Sequence, residues 1–283
     1  MIFSLYTQYG ALNSKPVFAA FEKSLRRAGH QVTHNNPNSD VAVIWSVLWH
    51  GRMAHNKQVW TRYTQSRRPV VVLEVGGIQR GTTWKVGLNG VNRDAYFSPG
   101  GHDNARAKKL GLKLKEWKHN QNGAIIIASQ HHQSQQWHNQ PPIEDWVKQT
   151  VEKIRTYTDR RIIVRPHPRC PLTKSIGTFD SVSIQNPNKI RGSYDDFDFD
   201  YASSWAVVNW SSNPAVQAVR GGIPVFTGPS SLAWPVSNPT LDTIENPLKP
   251  DRTQWLNDLA HTEYTIDEIA KGLPLAYLTE KLS

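Results

Sequence analysis

The stretch 209–225 constrains the fold more than any other part of this chain. Two valines, typical of a β-strand, precede Asn209, and Ser211 or Ser212 is a natural helix N-cap with a proline in the first turn. Gly221-Gly222 ends the short helix, and an Ile-Pro-Val-Phe segment begins another buried strand. The stretch therefore predicts strand, turn, helix and strand, and a helix N-terminus with free N–H groups after a strand favours anion binding.

Further strands alternate with helices along the rest of the chain, which is typical of α/β proteins with parallel sheets. Short apolar runs predict the strands, and 3.6-residue periodicity predicts the helices. The predicted strands are 2–6, 30–34, 40–45, 68–74, 124–128, 161–165, 181–184, 206–209 and 223–226. The predicted helices are 17–28, 55–66, 143–157, 253–259 and 266–281.

Residues 78–122 are predicted to be irregular, since they are rich in Gly, Asn and aromatic residues. The turn-rich segment Asn120–Gly123 is the predicted domain boundary. The expected organisation is an N-terminal domain, 1–120, and a C-terminal domain, 121–265, with a last helix in 266–283 that packs back on the first domain. Each domain is expected to be a Rossmann-like, doubly wound α/β unit, with a central cleft between the two.

Charge and cysteine content narrow the possible partners and compartment. The net charge is +10 and the pI is about 9.7, which favours a polyanionic partner. The single cysteine, Cys170, excludes an internal disulfide and fits a reducing cytoplasm. The N-terminus does not resemble a signal peptide, and no apolar run is long enough to span a membrane. We expect a monomeric cytoplasmic protein.

A second motif, Arg165-Pro-His-Pro-Arg169, directly follows a predicted strand. The two prolines restrict the turn and orient His167, and arginines bind phosphates in a bidentate manner. This turn and the Ser211-Ser212 turn both lie at carboxyl ends of parallel strands, where open α/β sheets bind ligands. We expect the two turns to hold a diphosphate between them.

The order strand, Arg-Pro-His-Pro, strand, Ser-Ser, helix, Gly-Ile-Pro-Val resembles the C-terminal half of GT-B glycosyltransferases. It looks most like the phage and capsule-type branch of that family. The resemblance implies a nucleotide-sugar, predicted to be a UDP-sugar, as co-substrate and no tightly bound cofactor. Many members carry an acid for the ribose hydroxyls where this sequence has Gln217. The donor-binding residues that the resemblance implies are Asn13, Ser14, Gln130, Arg165, His167, Arg169, Ser211, Ser212 and Gln217.

A GT-B enzyme that inverts configuration needs a general base near the acceptor hydroxyl. Glu74 ends the clearest strand of the first half and precedes Gly76-Gly77, so it is the leading candidate. Asp94 is the second candidate. A retaining enzyme would not need this base, and the sequence leaves the two stereochemical outcomes open.

Modified DNA is the predicted acceptor, because basic residues interleaved with aromatics suit a phosphate backbone and a displaced base. The phage DNA-modifying enzymes that the chain resembles glycosylate 5-hydroxymethylcytosine or 5-hydroxymethyluracil in duplex DNA, in the cytoplasm of the infected host. The predicted DNA-binding residues are Arg80, Trp84, Lys85, Arg93, Lys108, Lys109, Lys113 and Lys115.

Other functions remain open at this level. The first alternative is a glycosyltransferase that acts on a capsule, lipopolysaccharide or other surface glycan. Others are a non-catalytic nucleotide-sugar or nucleic-acid binding protein and a nucleotide-sugar epimerase. No metal site is predicted, because the histidines 131, 132 and 138 match no familiar ligand spacing. Asp195, Asp196 and Asp198 are interpreted as a solvated acidic loop.

Overall fold

A computed structural model describes residues 1–173, 175–191, 197–198 and 200–282. Within these ranges the chain divides into two compact units, one of residues 1–110 with 256–283 and one of residues 111–255. The boundary predicted from the sequence, between residues 120 and 121, lies about ten residues later in the chain. Of the predicted acidic loop, Asp195 and Asp196 lie outside the described residues.

The first unit contains one mixed sheet. Its strands are β1 (Ile2–Leu5), β2 (Gln31–His34), β3 (Val41–Trp45), β4 (Val70–Val75), β5 (Trp84–Leu88) and a final short strand, Glu263–Tyr264. The order across the sheet is final strand, β5, β4, β3, β1, β2. Strands β1 to β4 are parallel, whereas β5 is antiparallel to β4 and the final strand is antiparallel to β5.

The structure corrects the prediction that residues 78–122 are irregular. They contain β5 and the helix α3 (Ala105–Lys109). Strand β5 pairs with β4 on one side and the final strand on the other, and every one of its five residues is buried, including Lys85. A lysine in a fully buried strand runs against the usual composition of strands, which is why the apolar pattern did not indicate it.

Helices α1 (Lys15–Arg27) and α2 (Asn56–Gln65) pack with this sheet and confirm the two predicted helices of the first half. Helix α1 has Pro16 in its first turn and buries an apolar face against the core, as its 3.6-residue periodicity predicts. The residues of that face are Val17, Phe18, Phe21 and Leu25.

The second unit contains a five-stranded sheet that is parallel throughout the described residues. Its strands are β6 (Ile125–Ala128), β7 (Ile162–Arg165), β8 (Val182–Ile184), β9 (Ala206–Asn209) and β10 (Val225–Thr227), in the order β10, β9, β6, β7, β8. Helix α4 (Ile143–Arg155) follows β6, and α5 (Asn213–Arg220) follows β9. These elements confirm the predicted strands and helices, and the mixed α/β class is confirmed with them.

The chain ends in three helices rather than two. Helix α6 (Thr253–Leu259) is followed by α7 (Ile266–Lys271) and α8 (Leu273–Leu282). The predicted single helix over 266–281 is therefore wrong: Gly272, in the left-handed conformation with φ of 87°, ends α7. Helix α7 packs against α1 in the first unit. Among the described helices, none is both long and apolar enough to cross a membrane.

Candidate functional site

A pocket of about 120 Å³ lies in the second unit, beyond the carboxyl ends of β6, β7 and β9. Strand β6 is the first strand of this sheet, and the chain proceeds to β7 on one side of it and to β9 on the other. This is the topological switch point, where open α/β sheets bind ligands. The lining residues are Ala128, Ser129, Arg165, Pro166, His167, Pro168, Pro187, Asp198, Tyr201, Ser212, Asn213 and Pro214.

Ser212 presents the N-terminus of α5 to this pocket. It is the N-cap residue, with extended backbone angles, and its side chain makes no capping hydrogen bond. The Nδ2 atom of Asn209 donates to Ser212 Oγ and to the carbonyl of Ala128, at 2.8 Å each. Because Ser212 Oγ accepts this bond, its own O–H proton is available to donate to an anion. Asn209, a residue that the sequence analysis did not single out, orients the hydroxyl.

The backbone and the ring of His167 both make hydrogen bonds. Its backbone N–H donates to Ser129 Oγ at 3.1 Å, and its Nδ1 accepts from the backbone N–H of Arg169 at 3.1 Å. A neutral imidazole that accepts at Nδ1 carries its proton on Nε2. In this tautomer the Nε2 of His167 is a hydrogen-bond donor, while Arg169 contributes to the turn through its backbone and has an exposed side chain.

Arg165 adds positive charge to the pocket but is already engaged. Its guanidinium donates to Gln185 Oε1 at 3.1–3.2 Å and to the carbonyl of Asp200 at 3.3 Å. It also lies 5.3 Å from the ring centre of Tyr201. Burial raises the pKa of Tyr201 above its ordinary value, so this side chain stays protonated.

Four of the predicted donor residues in this unit lie outside the pocket lining: Gln130, Arg169, Ser211 and Gln217. Gln130 is buried, and its Oε1 accepts from both the N–H and the Oγ of Ser211, at 3.1 and 3.0 Å. These two residues therefore join the loops after β6 and β9. Gln217 lies on α5, where its Oε1 accepts from Arg220 at 3.5 Å. The acid in the lining is Asp198, which the sequence analysis interpreted as solvated.

A cluster of metal-ligating side chains lies close to His167. Each of His131, His132 and Cys170 offers a ligand atom, and these atoms lie within 4.8 Å of one another. Cys170 lies 38 residues after His132 in the chain, so the spacing in sequence did not indicate a site. The ring of His131 packs edge-on to that of His167, with centroids 5.4 Å apart.

In the first unit, strands β4 and β5 and the final strand bring charged groups together on one face of the sheet. Glu74 pairs with Lys85, and Lys85 pairs with Glu263. Lys85 Nζ donates to the carbonyl of Val91 and to Asn92 Oδ1, at 3.1 Å each. Burial lowers the pKa of Lys85, and the charges of Glu263, Glu74 and Asp94 oppose this shift.

The buried carboxylate Glu263 supports the turn that follows Glu74. It accepts from the backbone N–H groups of Gly77 and Ile78 and from Thr83 Oγ1. Glu74 itself is half-buried, and its Oε1 accepts from the N–H of Val75 at 2.7 Å. Glu74 was predicted from the sequence as the candidate base. Glu263 was not predicted, because it lies almost two hundred residues away in the chain.

The structure corrects part of the predicted DNA-binding set. Trp84 and Lys85 are 6% and 3% exposed within β5, so neither can contact a phosphate backbone. Lys109 forms an ion pair of 2.7 Å with Glu268, which reduces its free positive charge. The remaining members, Arg80, Arg93, Lys108, Lys113 and Lys115, are exposed or half-exposed, and the last two belong to the second unit.

Asp94, Asn13 and Ser14 lie elsewhere in the first unit. Asp94 is exposed, and its Oδ1 accepts from the N–H of Asn92 at 3.2 Å. Asn13 and Ser14 lie in the loop between β1 and α1, at the same edge of the sheet as Glu74 but two strands away. Ser14 is 1% exposed and is the N-cap residue of α1, although its side chain makes no capping hydrogen bond.

Two solved structures resemble the whole chain. One is the β-Kdo 2,4 transferase of KpsC from Thermosulfurimonas dismutans, with a TM-score of 0.54 at 12% identity over 96% of this chain and 98% of that one. The other is the β-Kdo 2,7 transferase of KpsC from the same organism, with a TM-score of 0.53 at 13% identity over 98% and 100%. At these identities the likeness establishes a common GT-B-like fold.

A third structure, a UDP-GlcNAc 2-epimerase from Methanocaldococcus jannaschii, matches at a TM-score of 0.33 and 11% identity over 99% of this chain and 100% of that one. No family model matches the chain. No curated protein matches it in sequence either.

Proposed function

We propose that this protein is a glycosyltransferase that takes a sugar from a nucleoside-diphosphate donor, such as a UDP-sugar, and transfers it to a surface glycan of the capsule type. We propose further that the unit 111–255 binds the donor and that the unit of 1–110 with 256–283 binds the acceptor. The fold shared with two transferases described as acting with Kdo supports sugar transfer over binding alone.

The observation that carries this proposal is the pocket at the switch point of the second sheet. It combines hydrogen-bond donors from Ser212 and the first turn of α5 with the Nε2 proton of His167 and the charge of Arg165. These donors suit phosphate oxygens, because a helix N-terminus and charge-assisted hydrogen bonds both stabilise negative charge. They would also stabilise the nucleotide leaving group as its bond to the sugar breaks.

Asp198 gives the same pocket a hydrogen-bond acceptor. A nucleotide-sugar carries ribose and sugar hydroxyls next to its phosphates, and an ionised carboxylate accepts hydrogen bonds from such groups. We propose that Asp198 takes the role for which the resemblance suggested the position of Gln217. Asp198 is among the residues that line the pocket, whereas Gln217 is not.

Glu74 is the proposed general base of the first unit. The pairing across β4 and β5 places it opposite the buried Lys85. As a general base, the carboxylate of Glu74 would accept the proton of the acceptor hydroxyl. Lys85 thus has a place in the site, although not the contact with DNA that the sequence suggested.

A DNA acceptor is the second candidate. The observation in its favour is the net charge of +10, since a strongly basic protein attracts polyanions. Two of the eight residues assigned to DNA are buried and a third is paired with an acid. A glycan acceptor requires none of these residues, which is why we prefer it.

Donor binding and turnover in single variants test this proposal. The donors are a panel of UDP-sugars and nucleotide-activated Kdo, measured by calorimetry and by mass spectrometry of the products. His167→Ala and Ser212→Ala each remove one hydrogen bond to a charged phosphate, so we expect donor affinity to fall roughly tenfold. Glu74→Gln is expected to bind donor normally and to lose turnover.

The acceptor is tested in parallel with capsule oligosaccharides and with duplex DNA containing 5-hydroxymethylpyrimidines. His138→Ala is the matched control, because His138 is exposed in the same unit and lies outside the pocket. Product on DNA together with salt-sensitive affinity for the duplex would replace the glycan proposal. If no donor binds, or if His167→Ala and His138→Ala bind donor equally, the pocket is not the donor site.

A further inference from the structure

We propose that His131, His132 and Cys170 form a transition-metal site of the zinc class beside the anion pocket. The fold of the second unit brings the three side chains together. The proposal does not require the neighbouring pocket to bind a nucleotide-sugar. Its ligands come from two loops: the first follows β6, and the second follows β7 and the motif 165–169.

The ligand atoms of the three side chains are close enough for one ion. His132 Nδ1 lies 3.0 Å from Cys170 Sγ, and all three ligand atoms fall within 4.8 Å of one another. Zn–S bonds of about 2.3 Å and Zn–N bonds of about 2.0 Å place neighbouring ligand atoms of a tetrahedral site roughly 3.5 Å apart. Small side-chain rotations would therefore satisfy a metal ion without movement of the strands.

The chemistry of the ligands selects the metal. Two imidazoles and one thiolate favour Zn²⁺ over the hard cations Mg²⁺ and Ca²⁺, which prefer oxygen ligands. Three protein ligands leave a fourth position for water, as in open zinc sites. His131 and Cys170 are buried and His132 is exposed, so an ion can enter from the side of His132.

Binding removes the proton of the Cys170 thiol and requires an unprotonated ring nitrogen on each histidine. The Cys170 thiol loses its proton to solvent when its sulfur binds the ion as a thiolate. The backbone N–H of Gln133 donates to His131 Nδ1 at 3.2 Å, so in the metal-free ring the proton is on Nε2. If His131 binds through Nε2, that proton moves to Nδ1 and the contact with Gln133 is lost. Affinity is therefore expected to fall as the pH is lowered.

The site has a direct electrostatic consequence for the pocket. The His131 ring contacts the rings of both His132 and His167, at centroid distances of 5.2 and 5.4 Å. A divalent ion bound by His131 would thus lie one side chain away from His167. Its positive charge would add to the field that attracts an anion there.

Cobalt substitution in the full chain tests the proposal. The protein is stripped with a chelator, desalted in the absence of oxygen and titrated with Co²⁺, and its absorption spectrum is recorded. We expect one ion per chain, a near-ultraviolet thiolate-to-cobalt band and visible bands of four-coordinate Co²⁺. Competition with a chromophoric chelator then gives the affinity for Zn²⁺.

The variants are Cys170→Ser and His132→Ala, with His138→Ala as the control for a histidine outside the cluster. Cys170→Ser is expected to lose the near-ultraviolet band, and His132→Ala is expected to bind Zn²⁺ at least about tenfold more weakly. Circular dichroism checks that each variant is folded. If Cys170→Ser unfolds because position 170 is buried, the test rests on His132→Ala, since His132 is exposed. The absence of a thiolate band in the unsubstituted protein, or Zn²⁺ affinity unchanged in His132→Ala, would overturn the proposal.

Discussion

Adjacent side chains of the same type have different roles in this protein. Ser211 and Ser212 are indistinguishable as N-cap candidates in the sequence, but Ser211 bonds to Gln130 in the interior and Ser212 opens on the pocket. The difference arises because the chain turns between them, where β9 has ended and α5 begins. The proposed donor-binding role therefore belongs to Ser212, whereas Ser211 joins the two loops through Gln130.

The histidine His261 in the first unit should make stability depend on pH. Its ring stacks on that of His102, with centroids 3.5 Å apart. Burial, together with the neighbouring His102 and Arg106, lowers the pKa of His261 to about 4. An unfolded histidine binds its proton at about pH 6.5, so this group stabilises the fold fully above that pH. The contribution is lost as the pH falls from about 6.5 to about 4.

His261→Phe tests this dependence by removing the titrating group while keeping a ring. We expect the free energy of unfolding, measured with urea between pH 4 and 7, to depend less on pH in the variant. The difference in slope is at most about 1.4 kcal/mol per pH unit, the value for one proton. His138→Phe is the exposed control. Equal slopes in His261→Phe and in the unsubstituted protein would show that another group titrates.

At the scale of elements, glycines determine where two helices end and how the chain continues. Gly272 separates α7 from α8 in a stretch whose composition is helical throughout, and Thr265 with Glu268 forms a capping box at the start of α7. Gly222 follows α5 with a φ of 80° and lies against the segment before β6. A Cβ atom at Gly222 would lie 2.0 Å from the carbonyl oxygen of Glu116.

Gly222→Ala is expected to destabilise the second unit by more than about 1 kcal/mol, because it combines a strained φ with a backbone clash. Gly81→Ala is the matched control, since Gly81 has the same φ of 80° and a Cβ atom there would have no neighbouring atom within 4 Å. The loss of unfolding free energy in urea should be larger for Gly222→Ala. Equal losses would mean that the backbone at Glu116 moves aside easily.

At the scale of the whole molecule, the two units differ in how their chain is assembled. The second unit is continuous, and the core around its sheet comes entirely from residues between 111 and 255. The first unit needs both ends of the chain. Its core includes Tyr264, Ile269, Leu275 and Leu278, each at most 3% exposed.

Fragments of the chain should therefore behave differently. We expect 111–255 to fold by itself, and 1–110 to lack a cooperative unfolding transition. Each of the four missing core side chains contributes about 1.5–3 kcal/mol by burial, which together is comparable with the net stability of a typical domain. Thermal melts followed by near-ultraviolet circular dichroism provide the measurement. A cooperative melt of 1–110 alone, or none for 111–255, would contradict this expectation.

The amino-acid sequence by itself determined most of the secondary structure, because apolar periodicity and end signals act over short distances. The strands β1, β3, β4, β6, β7, β9 and β10 follow from apolar runs, and the helix after Ser212 follows from its cap and its glycines. The sequence also indicated that Arg165, His167 and Ser212 belong together, since all three follow parallel strands.

Only the tertiary structure decided which side chains are buried and which distant ones meet. Lys85 is charged and was assigned to the surface, but its strand pairs on both sides and so removes it from solvent. Glu263 supports the turn after Glu74, and Cys170 approaches His132, across long stretches of chain. Contacts of this kind depend on strand order and on the path of loops, and neither leaves a periodic signal in the sequence.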